Sequence, residues 1–273
     1  MKKVTAAFLL FGCVMAVQAS LIAEYTHEAV DPLTDDAGGD HNLTSNGGPT
    51  FVSAFDRQGF VLGDTVGDFH RAGGNDQVDA PANVYSGQSF TFTALVRRDS
   101  AVLNTGHQTI LSTDRFRFQW RISRPGGVPD LGTSQLTLAL NNGGGAGSGP
   151  GGSFPLDTWV FTAMRYDHTT HTVNGWMQDS SSSTLAGPQI TLAGAANDLT
   201  DIASTWRIGN DGLSLIGGAD PWDGWIDSAR IYDTALTDQE LNGVFNSFLI
   251  PEPSTAALMG LGVVLLAARR RFA

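Results

Sequence analysis

Short apolar runs with a period of two constrain this chain more than any other feature. Phe90, Phe92, Ala94 and Val96 alternate with Ser89, Thr91, Thr93 and Leu95. Successive side chains of an extended strand point to opposite sides, so one side of such a run can be buried. Phe116, Phe118, Trp120 and Ile122 alternate with Arg115, Arg117, Gln119 and Arg121, which predicts a strand with one apolar and one cationic side. Leu136, Leu138 and Leu140 keep the period. Trp159 to Tyr166 and Thr172 to Gln178 flank DHTTH and read as a hairpin with a polar turn, and Trp206 to Gly209 and Trp225 to Tyr232 complete the set. Gly, Asn, Asp or Pro closes each run. Many short strands with turns between them, and few helical patterns, predict an all-β antiparallel sandwich. One short helix is expected near the end: Thr237 and Glu240 form a capping box, and Leu241, Val244, Phe245 and Phe248 then fall on one side.

The two ends of the chain are of another kind. Lys2 and Lys3 precede an apolar stretch from Val4 to Val17, and Val17, Gln18 and Ala19 make the small-residue pattern that signal peptidase reads before Ser20. Residues 1–19 are therefore expected to be a Sec-type signal peptide. A lipoprotein box at Leu10 to Cys13 is the competing reading, opposed by the bulk of Phe11 and by the apolar character that continues past Cys13. Cleavage after Ala19 removes the only cysteine, so the exported protein is expected to hold neither disulfide nor thiol. At the other end, Pro251, Glu252 and Pro253 precede an apolar run from Ala256 to Ala268, followed by Arg269, Arg270 and Arg271. That run gives only about 20 Å of helix, short of a hydrocarbon core of about 30 Å, and makes a marginal permanent anchor.

What remains, residues 20–249, suits one domain with a well-buried core. The formal charge of −11 understates its acidity, because both lysines and the last three arginines lie in the terminal segments. An acidic surface without lysine disfavours a nucleic-acid partner, which needs clustered cations against its phosphates. Only Glu24, Glu28, Glu240 and Glu252 are glutamates; the other acids are aspartates, which favour turns and hard-cation loops. NNGGGAGSGPGG (141–152) lacks the Lys-Ser/Thr ending of a phosphate loop and reads as a flexible loop.

Four stretches then carry a resemblance: DDAGGDHNLTSNGGPTFV (Asp35 to Val52), GNDQVDAP with QSFTFTALVRRD (within Gly74 to Asp99), PLDTWVFTAMRYD (Pro155 to Asp167) and GWIDSARIYDTALTDQEL (Gly224 to Leu241). From about Leu21 to Phe248 the chain resembles the laminin-G-like, concanavalin A-like lectin/glucanase jelly rolls of bacterial secreted proteins. In the first stretch Gly39 and Asp40 stand where that family has Asn and Gly. The tail from Pro251 to Arg271 resembles the PEP-CTERM sorting signal. That likeness implies a transient hold in the inner membrane, with the arginines cytoplasmic and the domain periplasmic, then processing near the PEP motif by an exosortase and delivery to the cell surface or outside the cell.

The jelly-roll resemblance leaves function open, because the same sandwich carries enzymes, lectins and spacers. Its glucanases use Glu-x-Asp-x-x-Glu on one strand, and that motif does not occur here; no catalytic residue is expected. Asp220 and Asp223 in DPWDG read as loop acids. No nucleophile-elbow sequence occurs. The histidines are scattered; His168 and His171 share a turn, where zinc would need further ligands from elsewhere. The resemblance implies one structural calcium ion joining the early loop to the closing strand, at Asp35, Asp40 or Asn42, and Asp227. The alternative is that Asp35 and Asp40 make turn hydrogen bonds. For sugar binding, Trp176 and Trp222 are the expected aromatic platforms, whereas Trp120 and Trp159 are expected in the core. Arg115, Arg117 and Arg121 share one strand side and form a candidate stripe for an acidic polysaccharide, the alternative being pairing with nearby aspartates. These readings point to an exported, non-enzymatic surface or matrix protein that binds carbohydrate or mediates adhesion. A structural matrix protein without a ligand comes second, and a glycan hydrolase third.

Overall fold

A computed structural model describes residues 19–27, 32–53, 56–62, 65–69, 77–81, 89–100, 107–113, 118–123, 135–140, 146–193, 205–210 and 221–249. In chain order they form β1 (Leu21–Tyr25), β2 (Thr44–Asn46), β3 (Thr50–Ser53), β4 (Thr65–Asp68), β5 (Gln77–Ala80), β6 (Phe90–Arg98), β7 (Gln108–Thr113), β8 (Phe118–Ser123), β9 (Gln135–Leu140), β10 (Ala146–Ser153), β11 (Trp159–Asp167), β12 (Thr172–Gln178), β13 (Ile190–Ala193), β14 (Trp206–Ile208), β15 (Gly224–Tyr232) and the helix α1 (Asp238–Phe248). The expected signal peptide, apart from Ala19, and the sorting tail with Pro251, Glu252, Pro253, Arg269, Arg270 and Arg271 lie outside the described residues.

Two antiparallel sheets pack face to face. The first runs β13-β12-β11-β6-β15-β4-β3, with β1 also paired to β15; the second runs β10-β9-β8-β7-β14-β5-β2. The period-two runs supply the layer between them. Phe90, Phe92, Ala94 and Val96 of β6 meet Trp120 and Ile122 of β8, Leu111 of β7, and Trp206 and Ile208 of β14. Trp120 reaches furthest across, donating from Nε1 to Thr162 Oγ1 at 2.8 Å beside Gly175 of β12.

The opposite side of β6 is not solvated, as simple alternation would have it. Leu95 joins Trp159, Phe161, Trp176, Leu241, Phe245 and Phe248 in a second apolar layer on the outer side of the first sheet, beneath α1. Phe161 packs against Phe245 and Phe248 with ring centroids 5.3 and 5.8 Å apart. Thr91 is also buried there; its hydroxyl donates to Thr234 O at 2.8 Å and accepts from Leu236 N at 3.0 Å. The middle of the first sheet is thus buried on both sides.

The helix starts as its residues predict. Glu240 N donates to Thr237 Oγ1 at 3.2 Å, and Thr237 N donates back to Glu240 Oε2 at 2.8 Å, a complete capping box. Removing the cap with Thr237→Ala should cost about 1 kcal/mol in urea unfolding. A loss below a few tenths would show that packing of Leu241, Phe245 and Phe248 alone holds the helix.

One reading of the glycine-rich stretch changes. Ala146–Ser153, expected as part of a flexible loop, is strand β10, pairing Ala146 with Ala139 and Ser148 with Thr137, with an irregularity before Ser153. It is an edge strand, where glycine and Pro150 are tolerated because only one side of the backbone must pair.

Candidate functional site

Alternation along the second sheet sends one set of side chains into the core and the other to its outer side. In β5, Val78 and Ala80 go inward, leaving Gln77 and Asp79 outward; in β14, Trp206 and Ile208 flank the outward Arg207. Ser112 of β7 and Gln119 and Arg121 of β8 follow the same rule, next to inward Leu111, Trp120 and Ile122. Register then lines them up. Thr44 pairs with Asp79, Asp79 with Arg207, Arg207 with Ser112, and Ser112 with Gln119, one polar row across five strands.

Hydrogen bonds hold the row in separate groups. Arg207 Nε lies 3.5 Å from Asp79 Oδ1, which also accepts from Gln77 Nε2 at 2.6 Å. Asn46 Nδ2 donates to Asp79 Oδ2 at 3.4 Å, Ser112 Oγ donates to Asn210 O at 2.9 Å, and Arg121 Nη1 donates to Gln119 Oε1 at 2.6 Å. Arg207, Asp79 and Arg121 are half-buried, while Ser112 and Gln119 are buried. Beside them, burial and then the Arg121 charge hold the His107 imidazole below its usual range. Guanidinium, carboxamide and carboxylate groups thus stand at strand spacing, about 4.8 Å, on one side of the second sheet.

A second polar group crosses the interior at one end of the sandwich. Arg98 continues the inward series of β6 and is only 2 % exposed. Its Nε donates to Gln108 Oε1 at 3.1 Å, and Gln108 Nε2 donates to Asp223 Oδ2 at 3.3 Å. Burial pushes the Arg98 guanidinium down to about 10, while the Asp223 charge opposes the shift, so Arg98 remains a cation at neutral pH. Asp223, expected as a loop acid, is fully buried, and Asp220 lies outside the described residues.

The arginines of β6 and β8 are divided by the fold. Arg98 enters the interior, Arg97 sits on the other side of β6 with its guanidinium 4.9 Å from the Trp225 ring, and Arg121 lies on the outer polar face. Arg115 and Arg117 lie outside the described residues. The expected sugar platforms need correction. Trp176 is 1 % exposed because β12 turns it to the outer side of the first sheet, among the residues under α1, with Arg165 at 4.7 Å from its ring. Trp222 is fully buried in the interlayer core, edge-on to Phe154 at 5.7 Å. Neither ring has a face to offer a sugar. Trp120 and Trp159 are in the core, as expected.

The expected calcium set is engaged in part by the protein's own hydrogen bonds. Asp35 Oδ1 accepts from Glu24 N and Ala37 N, both at 3.0 Å, and His41 Nδ1 lies 3.1 Å from Oδ2. Asn42 Oδ1 accepts from Asp35 N at 3.0 Å. N–H groups thus already hold Asp35 Oδ1 and Asn42 Oδ1, two of the oxygens a hard cation would need. Asp40 is exposed, and Asp227 Oδ2 accepts from Ser228 Oγ at 3.0 Å. Among the described residues no group of three or more His, Cys, Asp or Glu side chains is placed to hold a metal. Asp35 ties the early loop to β1, the turn role weighed against calcium above.

Asp79, Arg207, Gln77, Ser112 and Gln119 were not singled out by sequence. WRI and QVDA contain the right alternation, but three or four residues give too short a period to separate a ligand face from an ordinary solvated one.

Comparison with known proteins agrees with this architecture. The family model for the concanavalin A-like lectin/glucanases superfamily matches residues 72–242, and the PEP-CTERM protein-sorting motif matches residues 249–271. No curated protein matches the chain. Among solved structures, domain 4 of AbnA, an extracellular arabinanase from Geobacillus stearothermophilus solved with arabinotriose, superposes with a TM-score of 0.58 at 18% identity, over 82% of this chain and 98% of that one. The botulinum neurotoxin serotype C1 binding domain superposes with a TM-score of 0.56 at 16% identity, over 84% of this chain and 52% of its own. The binding domain of botulinum neurotoxin DC in complex with SialylT does so with a TM-score of 0.56 at 15% identity, over 84% and 51%. At these identities the likeness is one of fold, and the chain spans about half of each toxin domain. The sorting motif implies export and exosortase processing toward the cell surface. With two antiparallel sheets in sandwich and more than half of its length matched, this chain belongs to the concanavalin A-like lectin/glucanase superfamily.

Proposed function

We propose that the protein is a non-enzymatic carbohydrate-binding module acting in adhesion at the cell surface or in the extracellular matrix. On this reading the precursor is held briefly in the inner membrane by the tail, with the domain on the periplasmic side, until an exosortase releases it. The observation that carries the proposal is the row Thr44, Asp79, Arg207, Ser112 and Gln119, joined by Arg121, on the outer side of the second sheet. A non-enzymatic role is supported by the use of the described glutamates: Glu24 accepts from Arg230 Nε at 2.5 Å, and Glu240 is spent in the helix cap. Neither is available as one of a paired acid and nucleophile. The arabinotriose and SialylT complexes belong to the related proteins and support the ligand class only.

The burial of Ser112 and Gln119 favours the second reading, a structural matrix protein whose polar row is internal. A glycan array probed with the exported protein separates the two. Saturable binding, reduced at least about tenfold in the Arg121→Ala/Arg207→Ala variant, is expected from the loss of charge-assisted hydrogen bonds. Absence of saturable binding to any glycan would leave the structural role, and turnover of a polysaccharide panel would establish a hydrolase.

A further inference from the structure

The tip of the β11–β12 hairpin belongs neither to the cores nor to the polar row. Asp167 closes it, Oδ1 accepting from Thr169 N at 2.8 Å and Oδ2 from Thr170 Oγ1 at 2.9 Å. His168 N donates to Ser89 Oγ at 3.0 Å, and His171 takes a left-handed backbone, φ 50°, just before β12 resumes. Both ends of the tip are held by register, with Tyr166 opposite Val173 and Asp167 opposite Thr172.

This arrangement brings two imidazoles together on one phenol. The rings of His168 and His171 are 5.3 Å apart, and their Nδ1 atoms lie 3.5 and 3.4 Å from Tyr166 Oη. These contacts are long for hydrogen bonds to a hydroxyl, and one phenol hydrogen cannot serve both nitrogens. A first-row ion with ligands at about 2.0–2.1 Å in tetrahedral geometry sets neighbouring ligand atoms about 3.3–3.4 Å apart. The two N···O separations therefore match two edges of such a ligand set. Tyr166 is buried, His168 half-buried and His171 exposed, so a remaining position would face water.

The geometry points to a zinc(II)-binding site, held by Nδ1 of His168 and His171 with Tyr166 Oη as third ligand. Imidazole nitrogens select zinc(II) over calcium or magnesium, and copper(II), which binds N and O ligands more tightly, serves as a spectroscopic probe of the same three ligands. On coordination the phenol proton passes to solvent, and water completes the shell. The site lies on a strand hairpin whose backbone is already ordered, so little must be rearranged to load it.

The test uses the full exported protein without a histidine tag, titrated with copper(II) chloride and followed by electron paramagnetic resonance and visible absorption. One equivalent should bind with hyperfine structure from two nitrogens and a phenolate-to-copper band that Tyr166→Phe removes. His168→Gln or His171→Asn should each weaken binding at least about tenfold, since each removes one of the imidazole ligands; asparagine tolerates the left-handed backbone at 171. Circular dichroism melts confirm that the variants stay folded. The assignment is overturned if the His168→Gln/His171→Asn variant binds copper with unchanged affinity and spectrum, or if the wild type shows no saturable binding at about 100 μM metal.

Discussion

Gly175→Ala is expected to destabilise the domain by about 1–3 kcal/mol, and Gly175→Val by more, although each adds only a small apolar group to a strand. A Cβ at this position would lie 2.2 Å from Trp120 Cη2 and 2.7 Å from Cζ3. The indole cannot simply retreat. Its Nε1–H is given to Thr162 Oγ1 at 2.8 Å, and that hydroxyl in turn donates to Trp176 O at 3.1 Å, so moving the ring breaks a buried chain of hydrogen bonds as well as its packing. Chemical unfolding followed by far-UV circular dichroism measures the loss. Trp120→Phe in the Gly175→Ala background should recover part of it, because the smaller ring leaves room for the methyl group. Additive losses in this double-mutant cycle, or a single loss under about 0.5 kcal/mol, would show that the sheets do not depend on this contact.

Arg98→Met should be comparably costly, at about 3–5 kcal/mol, for an electrostatic reason. Methionine replaces much of the volume, but it leaves Asp223 fully buried without the facing cation. Gln108 cannot substitute, since its single side chain already links Arg98 to the Asp223 carboxylate. The partner experiment is Arg98→Met/Asp223→Asn, which removes both charges and should restore most of the stability, because the penalty arises from an uncompensated charge and not from the loss of attraction itself. A double variant as unstable as the single one would mean that the guanidinium acts through packing. Sequence alone does not separate Arg98 from its neighbour Arg97, since the two arginines are adjacent and alike.

How much was legible follows from how far each signal extends along the chain. The period-two runs predicted β6, β8, β9, β11, β12, β14 and β15, and the capping box predicted α1, because both are local in sequence. The strands β2, β3, β4 and β5 were not singled out individually, being only three or four residues long. The Ala146–Ser153 strand was read as a loop because glycine and proline normally weaken strands, and only its place at the sheet edge makes them acceptable there. Trp176 and Trp222 were read as sugar platforms because what covers them, the residues under α1 and Phe154, is distant in sequence.

By itself, the sequence determined that this is an all-β sandwich closed by one capped helix, with a sorting tail appended, since alternation, capping and the Pro-Glu-Pro motif are each written in a few contiguous residues. Only the tertiary structure decided which surface is available. It covers one side of the first sheet with α1, sends Arg98 inward and Arg97 outward from adjacent positions, and assembles Thr44, Asp79, Ser112, Gln119 and Arg207 into one row. The physical reason is register: antiparallel hydrogen bonding brings together residues more than a hundred positions apart, and that pairing is set by the packing of the whole sandwich.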